Sequence, residues 1–103
     1  MKNKSRYFLA ELLGSCFLVM IIVGSGLMAE NLTNDVAVML IANTIATGAG
    51  LFVLITVFAD VSGAHFNPFV SIAMAITGKL KRKLLAYYII AQLVGCLIGV
   101  GLA

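Results

Sequence analysis

Few side chains in this sequence are equipped for chemistry, and most of those that are fall in one stretch, Ser62-Gly63-Ala64-His65-Phe66-Asn67-Pro68-Phe69. Asn67 and Pro68 together form a helix start. The asparagine oxygen can accept from first-turn amides, and proline suits the first helical position, where no amide hydrogen is needed and the ring presets φ. Residues 70–77 are apolar or small and Gly78 is a natural stop, so the spacing predicts a helix of about 11 residues, or ~16 Å. That is half of a ~30 Å hydrocarbon core. A helix N-terminus at mid-membrane repels cations and protons. Asn67 can cap with its oxygen and keep its amide hydrogens for a passing hydroxyl, while the carbonyls of Gly63, Ala64 and His65 supply acceptors. The chemistry on offer is a hydrogen-bonding ladder for neutral polar solutes.

Other reactive residues are sparse. Glu11 is a single carboxylate inside an apolar run, a costly placement that is functional by default; a proton relay and a side chain snorkelling to the interface are both open to it. His65 is one imidazole with no second ligand nearby, so no metal is expected. Asp60 is expected to cap the loop that follows it. Gly95 and Gly99 form a GxxxG pair suited to close helix contact, and Cys16 and Cys96 read as small apolar packers rather than a disulfide. Asn31-Leu32-Thr33 is a glycosylation sequon that matters only in a eukaryotic secretory route. The basic N-terminus and apolar run mimic a signal peptide, but the run is too long and lacks a small-x-small cleavage site. With no phosphate loop, catalytic triad or metal cluster, the sequence points to no enzyme and no cofactor.

The elements that must hold these residues lie in lipid. Among 103 residues, 62% are hydrophobic and 11% charged, with a mean hydropathy of +1.12, far from a soluble domain. Residues 1–103 read as one transmembrane domain. Three runs are long enough to cross, at about 7–28, 36–59 and 84–103, with the half-helix and its loop at 62–78. The fold class is therefore an all-α membrane protein with three transmembrane helices and one re-entrant half-helix. The net charge of +3 is a topology signal rather than a nucleic-acid footprint. Lys2, Lys4 and Arg6 precede the first span, and Lys79, Lys81, Arg82 and Lys83 precede the third. Both groups belong in the cytoplasm by the positive-inside rule, which holds only if residues 62–78 enter and leave by one face. Irregular backbone at that depth must line water or be buried in protein.

Ser-Gly-Ala-His-Phe-Asn-Pro at 62–68, with Ala10-Glu11 and Gly14-Ser15 in the first span and Ala91-Gln92 with Gly95 in the third, resembles the first repeat of the aquaporin and aquaglyceroporin family, the major intrinsic proteins. The resemblance covers essentially the whole chain. It implies a six-span pore of two inverted repeats whose half-helices meet at the midplane, in a tetramer, in a plasma or inner cell membrane. It assigns Asn67, Pro68, Phe69, Gly63, Ala64 and His65 to the pore, and Glu11 and Gln92 to bracing the loop. Thr47 corresponds to the second-span member of the selectivity filter. A small residue there, beside Gly48 and Gly50, implies an opening for glycerol-like polyols or neutral metalloid acids. Phe69 departs from the usual alanine where the half-helices would abut.

The expected function is the half-wall of a passive channel for water and small neutral solutes, with lipid around it and a second repeat or partner half completing the pore. The chain ends near the third span without a second Asn-Pro repeat, and a partial chain or a split half is expected rather than a dual-topology homodimer, because all seven basic residues favour one orientation. The alternatives are a non-conducting remnant or membrane scaffold, and an ion-coupled transporter using Glu11.

Overall fold

The computed structural model describes residues 2–103, with side chains from Lys4 onward. It is an all-α membrane protein of four helices: α1 (Lys2–Leu32), α2 (Val36–Ser62), α3 (Pro68–Ile76) and α4 (Arg82–Leu102). Three of them, α1, α2 and α4, are long and apolar enough to cross a bilayer. With 31 residues, α1 overshoots the apolar run at both ends. Its C-terminal extension takes up Glu30 and Asn31, so the interval between the expected spans 7–28 and 36–59 shrinks to Thr33, Asn34 and Asp35. Asp35 closes that turn by capping α2, accepting from the amides of Ala37 at 2.9 Å and Val38 at 3.4 Å.

The hub is α1, which packs along α4 and α2, while α3 leans on α4. The close approach to α4 depends on its two glycines: a Cβ at Gly95 would collide with the Leu12 carbonyl oxygen, and one at Gly99 would lie 2.5 Å from that of Cys16. Backbone-to-backbone packing of this kind is how small residues hold helices together in lipid, where no hydrophobic drive operates between them. One polar clasp ties α1 to α2, where Asn43 Nδ2 donates to the Ile22 carbonyl at 2.8 Å and to Ser25 Oγ at 3.0 Å. Cys16 and Cys96 are both free thiols.

Between α2 and α4 the chain doubles back. Gly63 ends α2 in the left-handed region (φ 88°), its amide donating to the Ala59 carbonyl. Asp60 therefore does not cap the loop: it lies in the last turn of α2, exposed, because α2 runs on to a glycine that can adopt the required backbone and an aspartate side chain is not needed. At nine residues, or about 14 Å, α3 is shorter than its spacing predicts. It stops at Thr77, and Gly78 (φ 80°) turns the chain so that the amides of Lys79 and Leu80 both donate to the Met74 carbonyl.

Candidate functional site

At the centre stands Glu11, completely buried. Its Oε2 accepts from Ser62 Oγ at 2.6 Å and from the His65 amide at 3.2 Å. Its Oε1 accepts from the Phe66 amide at 2.9 Å and from Gln92 Nε2 at 2.7 Å. One carboxylate on α1 thus joins the end of α2, two amides of the loop and the middle of α4. Four donors on two acceptor oxygens use the full capacity of the group, which is what removal of a carboxylate from water requires. No snorkelling is involved, since the side chain points into protein.

The loop between α2 and α3 has an uneven hydrogen-bond account. Its donors from Ala64 to Phe66 are taken up by protein: Ala64 donates to Ser62 Oγ at 3.2 Å and His65 and Phe66 to Glu11, while at the start of α3 Phe69 donates to Asn67 Oδ1 at 2.8 Å. Among the described residues, the carbonyls of Gly63, Ala64 and His65 receive nothing from the protein. Ala64 (φ 53°) and Phe66 (φ 54°) both occupy the left-handed region without being glycine, a strained backbone that persists only where its surroundings impose it. Phe66 shows what imposes it. Its ring is buried, meets Phe58 edge-on at a centroid distance of 5.9 Å, and fills the place a side chain at Gly14 would occupy.

Asn67 caps α3 with its oxygen and is exposed; among the described residues its amide nitrogen has no protein acceptor. Pro68 is the first residue of α3 and Phe69, the second, is 81% exposed. Gly63 and His65 line an open cleft of about 590 Å³ that begins where α1 and α4 begin, with Tyr7 and Tyr88 on its wall. Ala64 is half-buried and is not part of that wall. Thr47 stands apart from the group. It lies on α2 with its hydroxyl oxygen buried and unpartnered among the described residues, so this hydroxyl is turned away from open space.

Three residues that sequence reasoning left unassigned complete the site. Ser62 both donates to Glu11 and accepts from Ala64. Tyr88 Oη donates to the Ser62 carbonyl at 2.6 Å, its ring 4.9 Å from that of His65. Ser71 Oγ lies 2.9 Å from both His65 Nδ1 and Gln92 Nε2. Gln92 Nε2 donates to the Ser71 hydroxyl, and the imidazole tautomer decides which of Ser71 and His65 donates in the other contact. The only sign of Ser71 in the sequence is a hydroxyl one turn after Asn67 in an otherwise apolar half-helix; its burial and its partners belong to the fold.

The sequence model of the family described as "Major intrinsic protein" matches residues 1–103. Aquaglyceroporin AqpS of Rhizobium meliloti (strain 1021) is 52% identical over 99 residues, covering 96% of this chain and 42% of that protein. Aquaporin-8 of Mus musculus is 40% identical over 95 residues, covering 92% and 34%, and Aquaporin NIP1-2 of Oryza sativa subsp. japonica 37% over 93 residues, covering 90% and 30%. The chain thus spans less than half the length of these relatives, and it aligns with them through the spans and the loop that carry the site. With the half-helix, its Asn-Pro start and its buried glutamate in place, this chain belongs to the major intrinsic protein family.

Proposed function

We propose that the chain forms half the wall of a passive channel for water and small neutral solutes, with the pore completed by a second repeat, whether on the same polypeptide or on a partner. The observation that carries this reading is the asymmetry of the loop: the amides of Ala64, His65 and Phe66 are held by protein, the carbonyls of Gly63, Ala64 and His65 are left free, and among the described residues Asn67 has amide hydrogens without a protein acceptor. A file of acceptors ending in a donor suits a molecule with both kinds of group. The N-terminal end of α3 disfavours cations at the same point. Glu11 and Gln92 brace the loop. Phe69, exposed at the start of α3, is placed to meet the other half-helix, and assembly of complete pores into tetramers follows the family pattern.

The 52% identical aquaglyceroporin supports a polyol-sized solute more than Thr47 does, whose hydroxyl is buried; glycerol-like polyols and neutral metalloid acids are the candidates beyond water. Light-scattering shrinkage of proteoliposomes tests the reading. With the second repeat present, water and glycerol permeability should exceed that of protein-free vesicles severalfold. Rates equal to those of empty vesicles, from protein shown to be folded, would support the non-conducting scaffold instead.

The site of action is a plasma or inner cell membrane, with the N-terminus in the cytoplasm. Lys4, Lys79, Lys81 and Lys83 gather at one end of the molecule, while the turn at Thr33 lies across α1 from it, and the positive-inside rule puts the lysine end inside. A cysteine introduced at Thr33 should react with a membrane-impermeant thiol reagent applied outside intact cells, and one at Lys81 only after the membrane is opened. Labelling of both from outside would refute this topology.

A further inference from the structure

The cleft at the lysine end holds charges that permeation of a neutral solute does not use. Lys4 comes from α1, its ammonium 5.2 Å from the Tyr87 ring centroid, Lys79 and Lys81 from the segment joining α3 to α4, and Lys83 from the first turn of α4, and all four line one cavity of about 590 Å³ against a single carboxylate, Asp60. Among the described residues none of these lysines forms a salt bridge. Both α1 and α4 begin at this end and both α2 and α3 end there, so the helix-end partial charges largely offset one another and the lysine side chains carry the positive potential. Like charges gathered in a concave wall repel one another, and an anion with several acceptor oxygens relieves that repulsion. The cleft also lies at the end where the apolar runs of α1 and α4 begin, the end a bilayer boundary would meet. Basic pockets between transmembrane helices at the cytoplasmic boundary suit phosphate-bearing headgroups.

We infer that this cleft is a binding site for a phosphate-bearing anion, supplied either by an anionic phospholipid of the surrounding leaflet or by soluble phosphate. An occupant there sits beside Gly63 and His65, at the mouth of the path proposed above. The binding itself does not depend on that path, nor on which side of a cell the cleft faces, because a nanodisc exposes both ends.

The test uses the protein in phosphatidylcholine nanodiscs, titrated calorimetrically with a short-chain phosphatidylglycerol in one arm and inorganic phosphate in the other. A Lys79→Gln/Lys81→Gln/Lys83→Gln variant should bind phosphatidylglycerol roughly 100-fold more weakly, with an unchanged melting temperature, whereas Arg6→Gln/Arg82→Gln, basic residues off the cleft wall, should bind within about threefold of the parent. Cleft-dependent binding of inorganic phosphate without phosphatidylglycerol binding would support the same site with a soluble ligand. Absence of binding in both arms, or equal losses in the lysine and arginine variants, would overturn the inference and leave only general surface charge.

Discussion

A Glu11→Leu protein is expected to lose the seat of its re-entrant loop, and a Glu11→Gln protein to keep part of it. Leucine removes every acceptor from the Ser62 hydroxyl, the His65 and Phe66 amides and one bond of Gln92. Gln92 retains Ser71 and the Ser62 hydroxyl can turn, so the irreducible loss falls on the two loop amides. At about 1–3 kcal/mol for each buried donor left unpaired, that loss is ~2–6 kcal/mol. Release of the strain at Ala64 and Phe66 offsets part of it, because the loop can then relax out of the left-handed region, at the expense of its position. Glutamine offers one carbonyl oxygen in place of two carboxylate oxygens, so it serves one pair of donors and turns its amide hydrogens toward the other. The melting temperature should therefore fall in the order parent, Gln, Leu, with protease cleavage in 63–67 rising in the same order. Equal melting and equal cleavage for the two variants would remove Glu11 from the bracing role. A Glu11→Gln protein that is fully stable yet inactive would instead revive a proton relay.

What the sequence discloses about this chain is mostly what is local. The three long apolar runs are legible because a bilayer demands length and lack of charge, and both are read directly from composition. The start of α3 is legible because Asn-Pro satisfies a helix N-terminus by itself, whatever surrounds it. Glu11 attracts notice for the opposite reason, since a carboxylate in an apolar run needs partners, yet nothing in the run says that those partners are amides 54 and 55 residues further on. The helix ends were less legible. Asp60 looks like a cap, but Gly63 takes that part because the turn needs a positive φ, and polar Glu30 and Asn31 do not stop α1 where the membrane would. Ser62, Ser71 and Tyr88 acquire their places only when α2, α3 and α4 are brought together. The left-handed Ala64 and Phe66 have no sequence signature at all, since tertiary hydrogen bonds and the space at Gly14 impose them.

The residue on which the functional reading turns is Asn67, and its aspartate variant carries the largest expected change in transport. Asn67 Oδ1 holds the Phe69 amide at 2.8 Å, while among the described residues its amide nitrogen has no acceptor and the residue is exposed. Asn67→Asp keeps the capping oxygen and exchanges a neutral donor for a negative charge at the end of α3. A unit charge ~4 Å from a cation is worth ~4 kcal/mol at the effective dielectric of a protein surface. Even if water in the pore screens most of that, a barrier lowered by ~1.4 kcal/mol raises sodium leak about tenfold. Water flux should fall in the same vesicles, because the solute meets an acceptor where it met a donor. Asn67→Ala separates the two roles. It loses the cap at a cost of about 1 kcal/mol, adds no charge, and should lower stability without admitting sodium. The measurement is paired sodium and water flux through protein that includes the second repeat, with folding checked by melting temperature. Unchanged sodium exclusion together with unchanged water flux in a folded Asn67→Asp channel would place this side chain away from the permeating molecule, and the reading of the loop as a solute pathway would fall with it.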